Sequence, residues 1–438
     1  MGSITIEGRG EVSIRVRDGF KLHAGVEGGV GYFHTVNTRF GSGREDVRSG
    51  KNTGDAQWAE GYVEPALDAV LETATIGNLY GGVSAVGVLT EGEGDAAGYT
   101  NDGDDGLDLE HLFLGWHSGT RFAGALGEDG LDLSYGRQEF RIGDGFLIYD
   151  GDLDQFDKGA AWLSPRASYE RAAVLKVGIA PLRGDVFYLR ADGDQDNTEL
   201  IGGNLEHRIG QAGQVGLTYL HVFGSTPLNW GARAGMNVIN LRANGIAYPE
   251  IPNLTVWAEY VKQLGAGKDG RIDAEAWYAE GRYRFSEWPW MPSIAYRYAY
   301  FSGDSRPGDG TQGEYDPLFY GWSRGWGSWY QGEITGEWLL FNGNQVNHMV
   351  HLTAYPRADL GLGIIYYDFD LDENRYFGTP VSDQEFTQEL NAYADWSLTD
   401  QVSLSALYGV AFPGTAAEQA FGGERAYHVV EGYVSVSF

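Results

Sequence analysis

Segments in which apolar and polar side chains alternate recur along this chain, most clearly in its second half. In residues 402–410, one side of such a segment carries Val402, Leu404, Ala406, Tyr408 and Val410. Side chains two residues apart in a β-strand share a face, so each segment predicts a strand with one apolar and one polar face. The chain is therefore constrained to strands that separate two different environments.

Composition narrows the fold further. The 438 residues include 66 Gly, 27 Tyr, 20 Phe and 13 Trp, and the mean hydropathy is −0.32. We find no apolar run near the ~18 residues that a membrane helix needs. Amphipathic strands rich in glycine and aromatic residues are typical of a transmembrane β-barrel. A large soluble all-β protein is the alternative, but we find no repeat of roughly 40–50 residues that would indicate a propeller.

The connectors between the alternating segments are short and long in turn. Long ones lie near residues 35–57, 92–106, 143–169, 305–345 and 413–426. Short periplasmic turns and long extracellular loops are the asymmetry of outer-membrane barrels. We expect an all-β fold, an antiparallel transmembrane barrel of about 18 strands, at ~24 residues per strand and loop. Residues 21–438 are predicted to form this single domain, with 305–345 as a long pore or vestibule loop.

The two ends of the chain carry separate expectations. Residues 431–438 alternate and finish on Phe438, which predicts a last strand that pairs with the first and resembles the assembly signal of bacterial outer-membrane proteins. Residues 1–20 alternate only in part and are charged, so they form either a periplasmic arm or an irregular start of the barrel. The start has no apolar stretch, and we expect a signal peptide to have been removed. The absence of cysteine suits the envelope of a Gram-negative cell.

Four stretches resemble the bacterial alginate export family of outer-membrane porins. They are GRQEFR (136–141), YDPLFYGWSRGWGSWYQGEI (315–334), TQEL (387–390) and VAFPGTA (410–416). The resemblance spreads over residues 130–438. It implies a barrel of about 18 strands that transports an alginate-like polyuronate, with periplasmic export proteins as further partners. Family membership alone does not fix the cargo.

In a barrel the second face of each strand lines the lumen, so its charges indicate what can pass. The basic residues predicted to face inward are Lys176, Arg190, Arg208, Arg242, Arg282, Arg284 and Arg297. Arg137 and Arg141 accompany Gly136, a candidate bulge, and Arg324 is predicted to reach the constriction from the long loop. Guanidinium groups present forked donors that suit carboxylates, so a ladder of them predicts a path along which a polyuronate moves between weak sites.

Acidic residues are predicted on the same inner face. They are Glu27, Glu64, Asp68, Glu206, Glu259, Glu280, Glu389, Asp395 and Glu431. Two arrangements remain open: a positive constriction that faces a negative wall, or a lumen for a neutral or zwitterionic solute. We expect a channel for an anionic polysaccharide or oligosaccharide, and a specific uptake porin for small carboxylates or other solutes is the alternative.

Other functional classes are less consistent with the sequence. No H-E-x-x-H motif occurs, and the one G-x-S-x-G match, at residues 321–325, lies in the long aromatic segment and not at a strand-to-helix elbow, so an outer-membrane barrel enzyme is disfavoured. The formal net charge of −30 is concentrated between strands, without a basic stripe for nucleic acid. We expect a monomer surrounded by outer-membrane lipid and lipopolysaccharide.

Two loop patterns suggest further sites. Aspartates recur at alternate positions in three spacers: Asp150, Asp152 and Asp154; Asp192, Asp194 and Asp196; Asp368, Asp370 and Asp372. Oxygen clusters suit Ca²⁺, so these are candidate extracellular calcium sites, with solvated acidic loops as the alternative. Segment 305–345 is also rich in aromatic residues. These side chains predict sugar stacking, a vestibule plug, or a loop packed on itself. They are Tyr315, Phe319, Tyr320, Trp322, Trp326, Trp329 and Tyr330.

Overall fold

Eighteen long β-strands dominate the computed structural model, which describes residues 3–6, 12–17, 19–73, 75–226, 233–268, 270–321, 324–329 and 331–438. The strands are β1 (Phe20–Val36), β2 (Gln57–Leu71), β3 (Asn78–Gly92), β4 (Asp104–His117), β5 (Leu131–Gln138), β6 (Tyr169–Ile179), β7 (Leu182–Arg190), β8 (Glu199–Arg208), β9 (Gln214–Gly224), β10 (Met236–Ala247), β11 (Leu254–Gly267), β12 (Gly270–Arg284), β13 (Ser293–Phe301), β14 (Gln345–Arg357), β15 (Leu360–Leu371), β16 (Glu385–Ser397), β17 (Val402–Pro413) and β18 (Tyr427–Ser437). No helix in the described parts of the chain is long and apolar enough to cross a membrane.

Each strand pairs antiparallel with the next, and β18 pairs with β1 to close the sheet. The closing register joins Val434 to Val30 and His428 to Val36. The closed sheet leaves no barrel edge with unpaired backbone groups, which a membrane interior would not solvate. The predicted antiparallel barrel of about 18 strands and the predicted pairing of the last strand with the first are both confirmed.

The two faces of the strands separate as the alternation predicts. Val30 and Tyr32 of β1 point outward and are exposed, whereas Phe33 and Thr35 point inward and are buried. The same division holds at Ile294, which is exposed on β13, beside buried neighbours on the same strand. The outer face is therefore an apolar band of the kind that contacts lipid, and the inner face carries the polar side chains.

The connections differ between the two ends of the barrel. One end, the long-loop end, carries 37–56, 93–103, 139–168, 191–198, 225–235, 268–269, 302–344, 372–384 and 414–426. The other, the short-turn end, carries mostly tight turns such as 180–181 and 358–359. Two connections depart from this division: 268–269 is short although it lies at the long-loop end, and 118–130 is long although it lies at the short-turn end.

Residues before the barrel extend the sheet at the short-turn end. Strands Ser3–Ile6 and Val12–Arg17 pair with each other, and the second pairs with the first residues of β1. Short elements also decorate the loops: α1 (Ala123–Leu126), α2 (Thr415–Phe421), two 3₁₀ turns (Thr38–Gly41, Phe156–Lys158), a π-helix (Gly332–Leu340) and the paired segments Arg44–Asp46 with Lys51–Gly54, Thr311–Gln312 with β12, and Arg375–Tyr376 with Thr379–Pro380.

Two long loops fold into the barrel. The backbone of Phe319 in loop 302–344 bonds to Leu147 and Tyr149 in loop 139–168, with N···O distances of 3.2 and 2.7 Å. Ile148 and Phe319 are fully buried, and the π-helix Gly332–Leu340 is buried against the opposite wall. The interior at this level is therefore packed with loop side chains.

Candidate functional site

A cluster of charges joins the inserted loops to the barrel wall. Arg324 of loop 302–344 lies 2.8 Å from an Asp144 oxygen and 3.0 Å from a Glu280 oxygen. Arg297 lies 3.7 Å from Glu280 and donates to the Gly327 carbonyl oxygen at 2.6 Å. Burial lowers the pKa of Arg324, but Glu280 and Asp144 outweigh that effect, so its pKa is raised and the guanidinium stays charged. We call Asp144, Glu280, Arg282, Arg297 and Arg324 the central charge cluster.

Aromatic rings surround the guanidinium groups of this cluster. Arg282 and Arg324 lie over the Trp257 ring, at 5.4 and 5.2 Å from its centroid. Arg297 lies 5.0 Å from the centroid of Trp329. Stacking on indole fixes a guanidinium while leaving its N–H edge free for planar acceptors. Arg297 is only 1% exposed, whereas the Arg282 side chain is 34% exposed and can meet a solute.

The wall on the other side of loop 302–344 is acidic. Glu389 accepts hydrogen bonds from the backbone N–H groups of Ile334 and Thr335 at the start of the π-helix, at 3.1 and 2.8 Å. Glu333 and Glu337 of that helix lie near Glu389, and burial raises the pKa of Glu337 to about 8. The arginines of the central charge cluster therefore lie on one side of loop 302–344 and these glutamates on the other. Asp144 and Glu280 accompany the arginines, so both sequence interpretations of the lumen stay open.

A cavity of about 290 Å³ lies between the inserted loops. Its lining combines carboxylates with rings: Glu139, Asp150, Asp154, Glu333, Glu337, Tyr99, Tyr149, Trp162, Tyr320, Trp338 and Phe341. Several of these side chains belong to the inserted loops 139–168 and 302–344. The loops thus leave a small space inside the barrel whose lining is partly apolar and partly charged.

Most of the predicted inward cations do face the interior. Lys176 shares the inner face of β6 with buried Val174 and lies 3.7 Å from Asp132. Arg242 is fully buried and lies 2.7 Å from Glu206, so it neutralises a wall carboxylate. Arg208 and Arg284 end their strands at the short-turn end and are exposed there. All nine predicted inward acids occupy inner-face positions of their strands.

The prediction for Arg190 is wrong. It shares the outer face of β7 with Val186, which is exposed, and lies 2.8 Å from Glu170. Both faces of β7 are apolar, because Phe187 and Leu189 fill the inner one, so alternation cannot distinguish them.

The GRQ segment is irregular, as its glycine suggested. Gly136 has a φ of 139°, and the register of β5 with β6 shifts beside it. Arg137 lies 2.7 Å from Asp152 and thus joins loop 139–168. Arg141 is exposed and stacks over Tyr149, 5.7 Å from the ring centroid. Arg137 therefore holds loop 139–168 to the barrel wall, and Arg141 lies within that loop. Neither arginine belongs to the central charge cluster.

Three of the nine candidate calcium residues surround a lysine side chain. Asp152, Asp192 and Asp194 converge, and the Lys158 ammonium lies among them at 2.5, 2.8 and 3.3 Å. Burial raises the pKa of Asp194 to about 6 although Lys158 opposes that shift. A lysine therefore supplies the positive charge that calcium was predicted to supply.

The remaining six aspartates do not converge on one point. Asp154 forms an ion pair with buried Arg166, and Asp150 accepts the backbone N–H of Asp152 at 3.0 Å. Asp196 is buried in its loop. Asp368 and Asp370 follow the outer face of β15, and Asp372 accepts the backbone N–H of Gly303 at 2.7 Å. Calcium binding stays a prediction.

The described aromatic residues of the long loop pack against other parts of the chain, as Trp329 does on Tyr278 and Trp326 does on Tyr393. Tyr315, Phe319, Tyr320, Trp326 and Trp329 are all buried. Trp322 and Tyr330 lie outside the described residues. Sequence reasoning missed Asp144, Lys158 and Glu333, because nothing in a loop sequence shows which charges fold inward; the only signal was the aromatic density around them.

The sequence model of the Alginate export family matches residues 90–428. The chain belongs to the alginate export family. No curated protein sequence matches it. Solved outer-membrane channels share the fold: OccAB1 of Acinetobacter baumannii (TM-score 0.59, 11% identity, 95% of this chain and 96% of that chain) and OccK2 (OpdF) of Pseudomonas aeruginosa in complex with glucuronate (TM-score 0.57, 13% identity, 95% and 96%).

Family and fold together place this member of the alginate export family in the outer membrane of a Gram-negative cell. The barrel is of the porin type, with short periplasmic turns and long extracellular loops. The long-loop end is accordingly the extracellular end, and Arg208 and Arg284 lie at the periplasmic mouth.

Proposed function

We propose that this barrel is a passive channel for saccharides that carry carboxylates, such as uronate oligomers. The observation that carries the proposal is the row of arginines on β12 and β13. Arg297 pairs across the strands with Glu280, while Arg282 and Arg284 follow on the same inner face toward the periplasmic mouth. Residues two apart along a strand are about 7 Å apart, so a carboxylate can pass from one guanidinium to the next.

The balance of charge along this row supports weak binding. Glu280 lies within 4 Å of Arg297, Arg324 and Arg282, so it neutralises part of the positive charge. A partly neutralised arginine attracts a carboxylate without holding it, and conduction needs solutes that enter and also leave. OccK2, which shares the fold, binds glucuronate, and this agrees with a carboxylate sugar as cargo.

The inserted loops favour small uronates over a polymer while they remain docked. Loops 139–168 and 302–344 fill much of the interior with buried side chains, and two cavities that they line measure about 290 and about 520 Å³. A polysaccharide chain requires these loops to move, whereas a short uronate requires a smaller opening. Export of a polyuronate, which requires the loops to open, is the first candidate function. Specific uptake of small carboxylates, which the docked loops favour, is the second.

The test is single-channel conductance in a planar bilayer with added uronate monomers, short oligomers and polymannuronate. We expect uronates to block the current at low millimolar concentrations or below, and the length dependence separates the two candidates. Arg282→Gln and Arg284→Glu should weaken the block by about tenfold, the equivalent of ~1.4 kcal/mol. Arg297 is unsuitable for this purpose because it is buried and structural.

Arg306→Glu provides the matched control, since its side chain is 82% exposed in the long loop, outside the central charge cluster. This change alters the net charge as much as Arg284→Glu does. Equal effects of the two changes, or no block by any uronate, would contradict the proposed cargo and leave the barrel a channel for other solutes.

A further inference from the structure

A histidine and two glutamates that the proposed channel mechanism does not use lie together on the inner wall of the barrel. One ligand atom from each of Glu110, His111 and Glu139 can be chosen so that the three lie within 4.8 Å of one another. Nε2 of His111 is 3.7 Å from Oε1 of Glu139. Two ligands of a tetrahedral zinc ion with bonds of 2.0–2.1 Å are separated by roughly 3.3 Å, so only a small movement is needed.

An irregularity in the sheet brings the first two residues together. Neighbouring residues of a regular strand point to opposite faces. Here Ser84 pairs with His111 and Ala85 pairs with Leu109, so Glu110 is the extra residue of a β-bulge. Leu109 and Leu112 remain exposed on the outer face. The bulge therefore turns Glu110 and His111 inward side by side, and bulges of this kind re-aim side chains at functional sites.

The carboxylate of Glu110 is only half satisfied by the protein. Its Oε1 accepts the backbone N–H groups of Ala167 and Ser168 at 3.0 and 2.8 Å. Its Oε2 is buried and has no hydrogen-bond partner, and its nearest cation, Arg137, lies at 3.9 Å. The side chain is 1% exposed. A carboxylate oxygen left without a partner at such a depth costs free energy, and one oxygen of this carboxylate lies within 4.8 Å of a ring nitrogen of His111.

A second layer of contacts holds the imidazole in the orientation that a metal ligand requires. The Ser84 hydroxyl donates to Glu64 at 2.6 Å, and Nδ1 of His111 lies 2.8 Å from the same hydroxyl oxygen. With its proton directed to Glu64, the hydroxyl accepts from Nδ1–H. Nε2 is then the free ring nitrogen on the side of Glu139. Metal-binding histidines characteristically donate their other N–H to such a partner, often a carboxylate.

We propose that Glu110, His111 and Glu139 form a binding site for a divalent transition-metal ion of the zinc class, with a coordination position open to the lumen. One imidazole and two carboxylates match the ligands of Zn²⁺, while Ca²⁺ prefers oxygen alone. Glu139 also lines the cavity between the loops, so the ion has a route into the site. The site is separate from the central charge cluster, whereas Arg137 lies between it and the Lys158 aspartates, 3.9 Å from Glu110 and 2.7 Å from Asp152.

The test is zinc titration of the full-length barrel in detergent after treatment with a chelator, followed by isothermal calorimetry. We expect one Zn²⁺ per chain. His111→Ala and Glu139→Gln should each lower the affinity more than about 100-fold, because loss of an outer partner alone costs 10–100-fold. Glu64→Gln should fall in that smaller range. Co²⁺ in place of Zn²⁺ should give a visible absorption band that His111→Ala abolishes.

His117→Ala is the matched control, since His117 also pairs with one carboxylate, Asp129 at 2.6 Å, but belongs to no three-ligand group among the described residues. It should bind zinc as the wild-type chain does. Heat-modified migration in gels verifies that each barrel is folded. If His111→Ala does not fold, Glu139→Gln tests the proposal, because Glu139 is 56% exposed and its substitution should leave the fold intact. No zinc binding by the wild type, or affinities of both variants within twofold of it, would overturn the proposal.

Discussion

Trp329→Ala is expected to release the inserted loops from the barrel interior. The indole of Trp329 is fully buried, with its ring 4.5 Å from Tyr278 and 4.7 Å from Phe146. Its N–H donates to the Asp144 carbonyl oxygen at 2.9 Å. One side chain therefore joins loop 302–344, loop 139–168 and the wall strand β12. Its loss removes contacts on all three.

The magnitude follows from the size of the buried ring. Truncation of a buried Trp or Phe to alanine costs about 3–5 kcal/mol, and every 1.4 kcal/mol is about tenfold in an equilibrium constant. The ratio of undocked to docked loop should therefore rise by between about 10² and 10⁴. Trp329→Phe keeps most of the ring but loses the hydrogen bond to Asp144, which is worth about 1 kcal/mol. In this variant the ratio of undocked to docked loop should rise far less.

Hydrogen exchange of segment 302–344 measures this ratio directly, because protection reports local opening. Protection in the loop should fall by the stated factor, while the barrel strands keep theirs. Single-channel conductance should rise in parallel. Trp288→Ala serves as the control, since Trp288 is 61% exposed in a periplasmic turn. Unchanged loop protection in Trp329→Ala would refute the view that this residue anchors the loops.

Three further predictions concern the loops and the sheet. Burial raises the pKa of Glu337 to about 8 in the docked loop, so docking of segment 332–340 favours the protonated carboxyl. The free energy of docking is therefore fully present below about pH 4.5. It falls by up to about 1.4 kcal/mol per pH unit as the pH rises toward 8. Its exchange protection should thus be lower at pH 9 than at pH 5, beyond the intrinsic rate change. Lys158→Met should loosen its loop, because the ammonium that joins Asp152, Asp192 and Asp194 is lost, and Ca²⁺ should restore protection in the variant, as limited proteolysis would show. Gly136→Ala places a Cβ 2.2 Å from a carbonyl oxygen at a φ of 139°, so it should lower the yield of heat-modifiable barrel, whereas Gly281→Ala, with open space around it, should not.

The parts of the structure that follow a period of two were predictable from the sequence. The register pair Glu280 and Arg297 faces inward because each lies on the polar side of a clear alternation. Arg190 was misplaced because both sides of its strand are apolar. The Glu110 bulge carries no glycine or proline to mark it, so its inward turn was invisible.

The interior of the loops was the least predictable region. The sequence indicated that 305–345 was too long for a simple connector and rich in aromatic residues, which agrees with its packing in the barrel. The partners of Arg324 were not accessible to such reasoning, since Asp144 lies in another loop and Glu280 on a strand. Long-range pairs of this kind depend on how the closed barrel brings distant segments together.

The most direct measurement of the central claim is the rate at which glucuronate and glucose enter proteoliposomes that contain the barrel. The two sugars have nearly the same size and differ in the carboxylate. The arginine row predicts faster entry of glucuronate, with the ratio reduced in Arg282→Gln and unchanged in Arg306→Glu. Equal entry of both sugars, or a ratio that Arg282→Gln leaves unchanged, would contradict a channel selective for carboxylate-bearing saccharides.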